Sequence, residues 1–194
     1  MFLAKKRLKY TVQHTCSNEG GKEHVLENAP FHSKHVPSEG KKPFLGAGFY
    51  YWEYNYDYAK FWGIRHYQNR YFVLESVIEI EHETDGIYLD LAGSRRDLVW
   101  FVELLIEFNL IHEEGTKGID LCYIIDYLRH NSPEAFPFKV IRAVDYKNDD
   151  KRGIKIDFNG KEKSYTILNP RMLISFLEKS DIVYIVKPFI RFAS

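Results

Sequence analysis

Cysteine is nearly absent from this chain of 194 residues, with Cys16 and Cys122 the only two. Two thiols so far apart make neither a disulfide framework nor a zinc knuckle. Such sparing use fits a reducing compartment. Net charge is absent as well, 27 basic residues standing against 27 acidic ones. That balance removes the broad electrostatic footprint of a dedicated nucleic-acid binder, while leaving room for a local basic patch. No apolar run approaches the roughly 20 residues that span a bilayer. The apolar start is too short for a secretory signal, and its charges follow it. The expectation is a cytoplasmic protein with no membrane partner. What the chain does have is aromatic residues, 14 Tyr, 14 Phe and 3 Trp. Most read as core, but those between 49 and 62 are unusually dense. The length suits a single domain, 1–194, with a core of its own.

Residues 7–14 alternate polar and apolar side chains (Leu8, Tyr10, Val12) and predict a strand. Residues 17–42 are polar, with Gly20, Gly21, Pro30, Pro37 and Gly40, and read as a long loop of the kind that is functional or mobile. Residues 44–51 place Gly46 and Gly48 before an aromatic strand, and 55–66 predict a helix. A strand is expected over 71–81. Residues 98–111 predict the firmest helix, capped by Ser94 with Asp97 at the capping-box position and Gly115 at its exit. Residues 120–129 predict another, begun by Asp120 and stopped before Pro133. Strands are expected over 138–145, 154–158, 172–176 and 182–186, with turns at Asp149-Asp150 and Asn159-Gly160 and an end at Lys187-Pro188. This order predicts an α+β fold with mainly antiparallel strands.

Two short stretches stand out. Gln13-His14-Thr15-Cys16-Ser17 puts an imidazole at a strand end. Gly46-Ala47-Gly48-Phe49-Tyr50-Tyr51 puts two glycines beside a strand, where a backbone or flat ligand can approach closely, and a phenol ring behind them. The third glycine and preceding strand of a dinucleotide fingerprint are missing, so this is not a Rossmann site. In this order and spacing the two stretches resemble the ADP-ribosyltransferase superfamily, more narrowly its His-Tyr-Glu branch of diphtheria-like toxins and poly(ADP-ribose) polymerases. Ala59 and Phe61 fall where that branch has a small residue and a second aromatic. The resemblance covers the first third of the chain well.

It implies a split, mainly antiparallel β-sheet fold with flanking helices, and NAD+ as co-substrate. His14 and Tyr50 would be the catalytic pair, with His14 on the adenine-side ribose. Tyr50 and Phe61 would sandwich the nicotinamide, a cationic ring on a π face being worth about 0.5–2 kcal/mol. The Thr15 backbone would hold the carboxamide, with Gly46, Gly48 and Phe49 lining the pocket. Thr15 stands where the family usually has Gly, so a side chain crowds that pocket. The acceptor would be a protein or nucleic acid, and a toxin-like role would bring an antitoxin or immunity partner. The branch places a glutamate at the head of a late strand to stabilise positive charge on the ribose. Here the late strand is Pro170-Arg171-Met172-Leu173-Ile174-Ser175, and Arg171 or Met172 heads it. Arg171 suits a phosphate or carboxylate better than a cation; neither Glu162 nor Glu178 is singled out by spacing. Three readings stand: an active transferase, an NAD- or ADP-ribose-binding pseudoenzyme, and a non-enzymatic module with an aromatic interaction surface.

Other clusters read more plainly. His24, His32 and His35 lie in the polar loop, whereas metal ligands belong on rigid elements; no metal site is expected. Cys122 reads as a buried structural thiol. Cys16 and His14 share a strand face, but no third residue orients them for nucleophilic chemistry.

Overall fold

The alternation that begins at residue 7 becomes the longest ladder of the fold. In the computed structural model, strand β1 (Lys6–Ser17) pairs antiparallel with β4 (Tyr71–His82) from Lys6 opposite His82 to Ser17 opposite Tyr71. The described residues are 6–36, 38, 40–82, 87–111, 120–145, 155–157 and 165–194. Gly115, Glu162 and the expected turns Asp149-Asp150 and Asn159-Gly160 lie outside them. Between β1 and β4 come α1 (Gly21–Asn28), β2 (His32–Ser33), β3 (Gly48–Glu53) and α2 (Tyr56–Tyr67). After β4 follow β5 (Tyr88–Asp90), α3 (Arg95–Glu107), α4 (Leu121–Asn131), β6 (Val140–Val144), β7 (Lys155–Asp157), β8 (Tyr165–Ile167), β9 (Met172–Phe176) and β10 (Val183–Ala193).

The fold is α+β, as expected. Its main sheet has eight strands in the order β10-β4-β1-β3-β9-β6-β5, with β2 added to β3; β7 and β8 pair separately. All pairs in the main sheet are antiparallel except β5 with β6. Because strand side chains alternate, the sheet has two distinct faces. One carries Trp52, Ile141 and Leu173 and is covered by α2, α3 and α4 through Ala59, Phe101, Leu104, Ile125 and Leu128. The other carries Val12, Tyr51, Tyr88, Ile174 and Phe176; α1 covers only its end, Val25 packing against Cys16 and Leu74. Each large apolar side chain so buried contributes about 1.5–3 kcal/mol. Among the described residues no helix is long and apolar enough to cross a membrane.

Three expectations are corrected. The stretch 17–42 contains a helix, α1, that buries only Val25 and has a left-handed Gly20 as its N-cap, so neither periodicity nor a capping side chain announces it. Pro188 does not end the last strand: β10 runs to Ala193 on the sheet edge, where a missing N–H is tolerated, with register shifts on either side. Asp97 does not close a capping box. Ser94 caps α3 by accepting the Asp97 N–H at 3.2 Å, but the Asp97 carboxylate accepts the Asp90 N–H at 3.0 Å, tying the helix to β5.

Candidate functional site

The two glycines sit where the chain turns into β3. Gly46 has φ +75°, and a Cβ there would overlap the Asp126 carboxylate on α4. A Cβ on Gly48 would lie 2.7 Å from both the Phe176 carbonyl oxygen and Ser175 Oγ. Both therefore allow neighbouring elements to close on the turn. Tyr50 belongs to the helix-covered face. Its hydroxyl donates to the Gly46 carbonyl at 2.6 Å and accepts the Leu45 N–H at 2.7 Å, which fixes the ring plane. Burial raises its pKa above the ordinary phenol value. Arg129 reaches the same turn from α4, donating Nη1 to the Ala47 carbonyl at 3.2 Å. Its Nε and Nη2 are buried with no partner among the described residues. Burial lowers its pKa, against the opposing pull of Tyr50 and Asp126. Unpaired buried guanidinium nitrogens carry a desolvation cost that an anionic ligand would offset.

Thr15 points to this face too. Its Oγ1 donates to the Ala59 carbonyl at 2.8 Å, stitching β1 to α2 and filling space that a glycine would leave open. Phe61 lies half-buried on the same helix.

His14 points the other way. Its ring lies 5.8 Å from that of Tyr51 and 6.3 Å from that of Phe31. Nδ1 donates to the Tyr50 carbonyl at 2.9 Å, and Nε2 accepts the Phe31 N–H at 3.2 Å. The imidazole thus pins β1, β3 and the segment after α1 together. Burial, helped by the charge of Lys179, lowers its pKa from 6.5 to about 4, against the hydrogen bond to Tyr50. Phe49 shares this second face and meets the His32 ring edge-on at 4.9 Å.

At the far end of β3 the head of β9 borders an open cleft of about 470 Å³, lined by residues including Glu53, Asn55, Tyr56, Asp57, Pro170 and Met172. Asn55 holds its floor. Its backbone N–H donates to Gln13, its Nδ2 to the Pro170 carbonyl, and its Oδ1 caps α2 by accepting the Tyr58 N–H. Glu53 is gripped by Arg142 through two hydrogen bonds, 2.6 and 3.1 Å, and the same guanidinium holds Asp90 at 2.9 Å. Two carboxylates share one cation, so the cluster keeps a surplus negative charge. Burial works against the Arg142 charge, but the hydrogen bond and charge of Glu53, with Asp90, outweigh it and raise the pKa. Arg171 is committed elsewhere: it pairs with Asp145 and lies over the Trp52 and Tyr58 rings, at 6.0 and 5.4 Å.

The structure thus gathers Thr15, Gly46, Gly48, Tyr50 and Phe61 on or beside the helix-covered face. It places His14 and Phe49 on the opposite one, with His14 touching Tyr50 only through the backbone. Sequence reasoning missed Glu53, Asp90, Arg142 and Arg129, which come from four separate elements and carry no local spacing signal. It weighed His35 only with His24 and His32, and did not anticipate that the fold brings it beside Cys122 and Asp126. Cys122 has its pKa raised to about 11, burial being the largest cause, which leaves a protonated thiol. Cys16 is raised to about 12 by burial alone. Compared with family models, curated proteins and solved structures, the chain matches none.

Proposed function

We propose that this chain binds NAD+ and transfers its ADP-ribose to a macromolecular acceptor, protein or nucleic acid, with release of nicotinamide. Strand adjacency carries the reading. The His14 strand β1, the glycine-aromatic strand β3 and the late strand β9 run side by side, and α2, with Ala59 and Phe61, packs on β1 and β3. These are the pieces the motif resemblance requires to be neighbours, and they come from distant parts of the chain.

In this reading the nicotinamide stacks on the fixed Tyr50 ring, with Phe61 opposite. The unpaired nitrogens of Arg129, beside the Gly46–Gly48 turn, receive a diphosphate oxygen. Heterolysis sends the glycosidic electron pair to nicotinamide and leaves positive charge on the ribose. The acceptor's nucleophile then closes on the anomeric carbon and loses its proton. Glu53, three residues or about 10 Å along β3 from Tyr50, is the carboxylate level with the head of β9. Its surplus-charge cluster supplies the electrostatic stabilisation.

A second reading, NAD+ binding without transfer, is favoured by one observation. Glu53 leaves β3 on the face opposite Tyr50, while Arg171 occupies the head of β9 on the Tyr50 side. Incubation with labelled NAD+ decides between them. Nicotinamide release with label on an acceptor, lost in Glu53→Gln, supports transfer. Binding without release supports the second reading. No binding of NAD+ overturns both.

A further inference from the structure

His35, Cys122 and Asp126 come from a loop and one face of α4, and their ligand atoms all lie within 4.8 Å of one another. Cys122 and Asp126 are one helical turn apart, so a rigid element sets their spacing. Cys122 Sγ is 3.7 Å from Asp126 Oδ2, and His35 Nδ1 is 4.0 Å from the same oxygen. A tetrahedral zinc ion with bonds of about 2.0–2.3 Å needs ligand atoms roughly 3.3–3.7 Å apart. The Cys122–Asp126 edge already fits, the His35–Asp126 edge must shorten by a few tenths of an ångström, and the His35–Cys122 edge, no longer than 4.8 Å, closes by turning the His35 side chain inward. The other Asp126 oxygen, Oδ1, accepts the Ala47 N–H at 3.3 Å, which aims Oδ2 at the other two ligands. The His35 ring is braced edge-on against Tyr123 at 5.1 Å. Of the cations nearby, Lys42 is already paired with Asp120, and Arg129 is directed at the Ala47 carbonyl.

We propose that His35, Cys122 and Asp126 form a binding site for zinc or a similar divalent transition metal. A thiolate, an imidazole and a single carboxylate suit such an ion and not calcium or magnesium, which take oxygen. Three protein ligands leave a fourth position for water. Binding replaces the Cys122 thiol proton by the metal and releases that proton to solvent. Because Asp126 also touches the Gly46–Ala47 turn, the ion would clamp the residue 35 segment, α4 and that turn into one unit. The site stands independently of the NAD+ reading.

Cobalt(II) alone, titrated into the full chain stripped of metal and free of any affinity tag, is the probe. The expected result is one ion per chain, with tetrahedral visible bands and a thiolate-to-cobalt charge-transfer band, both removed by added Zn2+. Cys16→Ser should leave the charge-transfer band and Cys122→Ser should abolish it. His35 lies in a loop, so His35→Gln keeps the test sound even where a change at buried Cys122 harms folding. It should weaken binding by about 100-fold, the upper end of what even an outer-shell partner costs. It should also erase the rise in melting temperature that Zn2+ gives the unaltered chain. Absence of the thiolate band at saturating cobalt, or unchanged affinity in His35→Gln, would overturn the site.

Discussion

Acidification should destabilise this protein through His14. The imidazole is 7% exposed and has both nitrogens engaged, donating to the Tyr50 carbonyl and accepting from the Phe31 N–H. Only the neutral ring can do both. Its pKa is about 4 in the fold against 6.5 for an ordinary histidine. Between these values the unfolded chain holds a proton that the folded chain refuses, so stability rises with pH across that window. The contribution is complete above pH 6.5 and is lost as pH falls towards 4. At 1.36 kcal/mol per pH unit the loss totals roughly 3 kcal/mol. Urea unfolding at closely spaced pH values, for the native chain and for His14→Gln, isolates the effect. Other groups titrate in both proteins and cancel in the difference. The native chain should lose about 3 kcal/mol more than the variant between pH 7 and 4. Parallel curves would refute the assignment, as would a ring titration near 6.5 followed by NMR.

Gly46→Ala forces a left-handed residue to carry a Cβ into the Asp126 carboxylate, and should cost about 2–4 kcal/mol in urea unfolding. A cost under about 1 kcal/mol, the lower limit for the left-handed conformation alone, would mean α4 does not close on the turn. Arg142→Met strands Glu53 and Asp90 together and should cost about 3–5 kcal/mol, part of it recovered when Glu53→Gln is added; an additive double variant would mean that the guanidinium does not couple them. Thr15→Gly gives up the bond to Ala59 and stiffens the chain less, a loss of about 2 kcal/mol. The same change empties space between β1 and α2, so NAD+ affinity by calorimetry should rise although the melting temperature falls; equal or weaker affinity would mean that Thr15 does not crowd the donor pocket.

Periodicity made most of the elements legible. The amphipathic spacing of α3 with its Ser94 cap, the extent of α2 to within one residue at each end and the five residues of β9 all follow from local pattern and cap chemistry. The small strand β5 was not legible, because three residues cannot display a period and its pairing with β6 is non-local. Nor was α1, whose single buried side chain leaves no stripe. The glycine turn could be read, since glycine has few other reasons to recur there. The ion cluster of Glu53, Asp90 and Arg142 could not. Its members are far apart in sequence and meet only because β3, β5 and β6 converge around β9.

One residue of offset decides which face of β3 can serve a ligand. The motif names Tyr50, on the helix-covered face. Its neighbour Tyr51 shares the other face with His14 and Glu53, so that face alone carries an imidazole, a phenol and a carboxylate side by side. Tyr51, however, is 2% exposed, and its hydroxyl is bound to that of Tyr184 at 2.6 Å. That ring is spent on packing, and a ligand reaching it would have to displace Tyr184 on the edge strand β10. Tyr50 is half-buried, and its hydrogen bonds hold the ring by its rim. In the proposed reading, therefore, the stacked ring is assigned to Tyr50 and the carboxylate to Glu53, on opposite faces. The head of β9 is where such a pair comes nearest, because beyond Glu53 the chain leaves β3 through Tyr54, bonded to Thr11, and Asn55, bonded to Pro170. The cleft between Asn55 and Pro170 opens at that place. A dinucleotide lying from the glycine turn towards it would use both faces, and closing the distance between ring and acid is the movement the transfer reading requires.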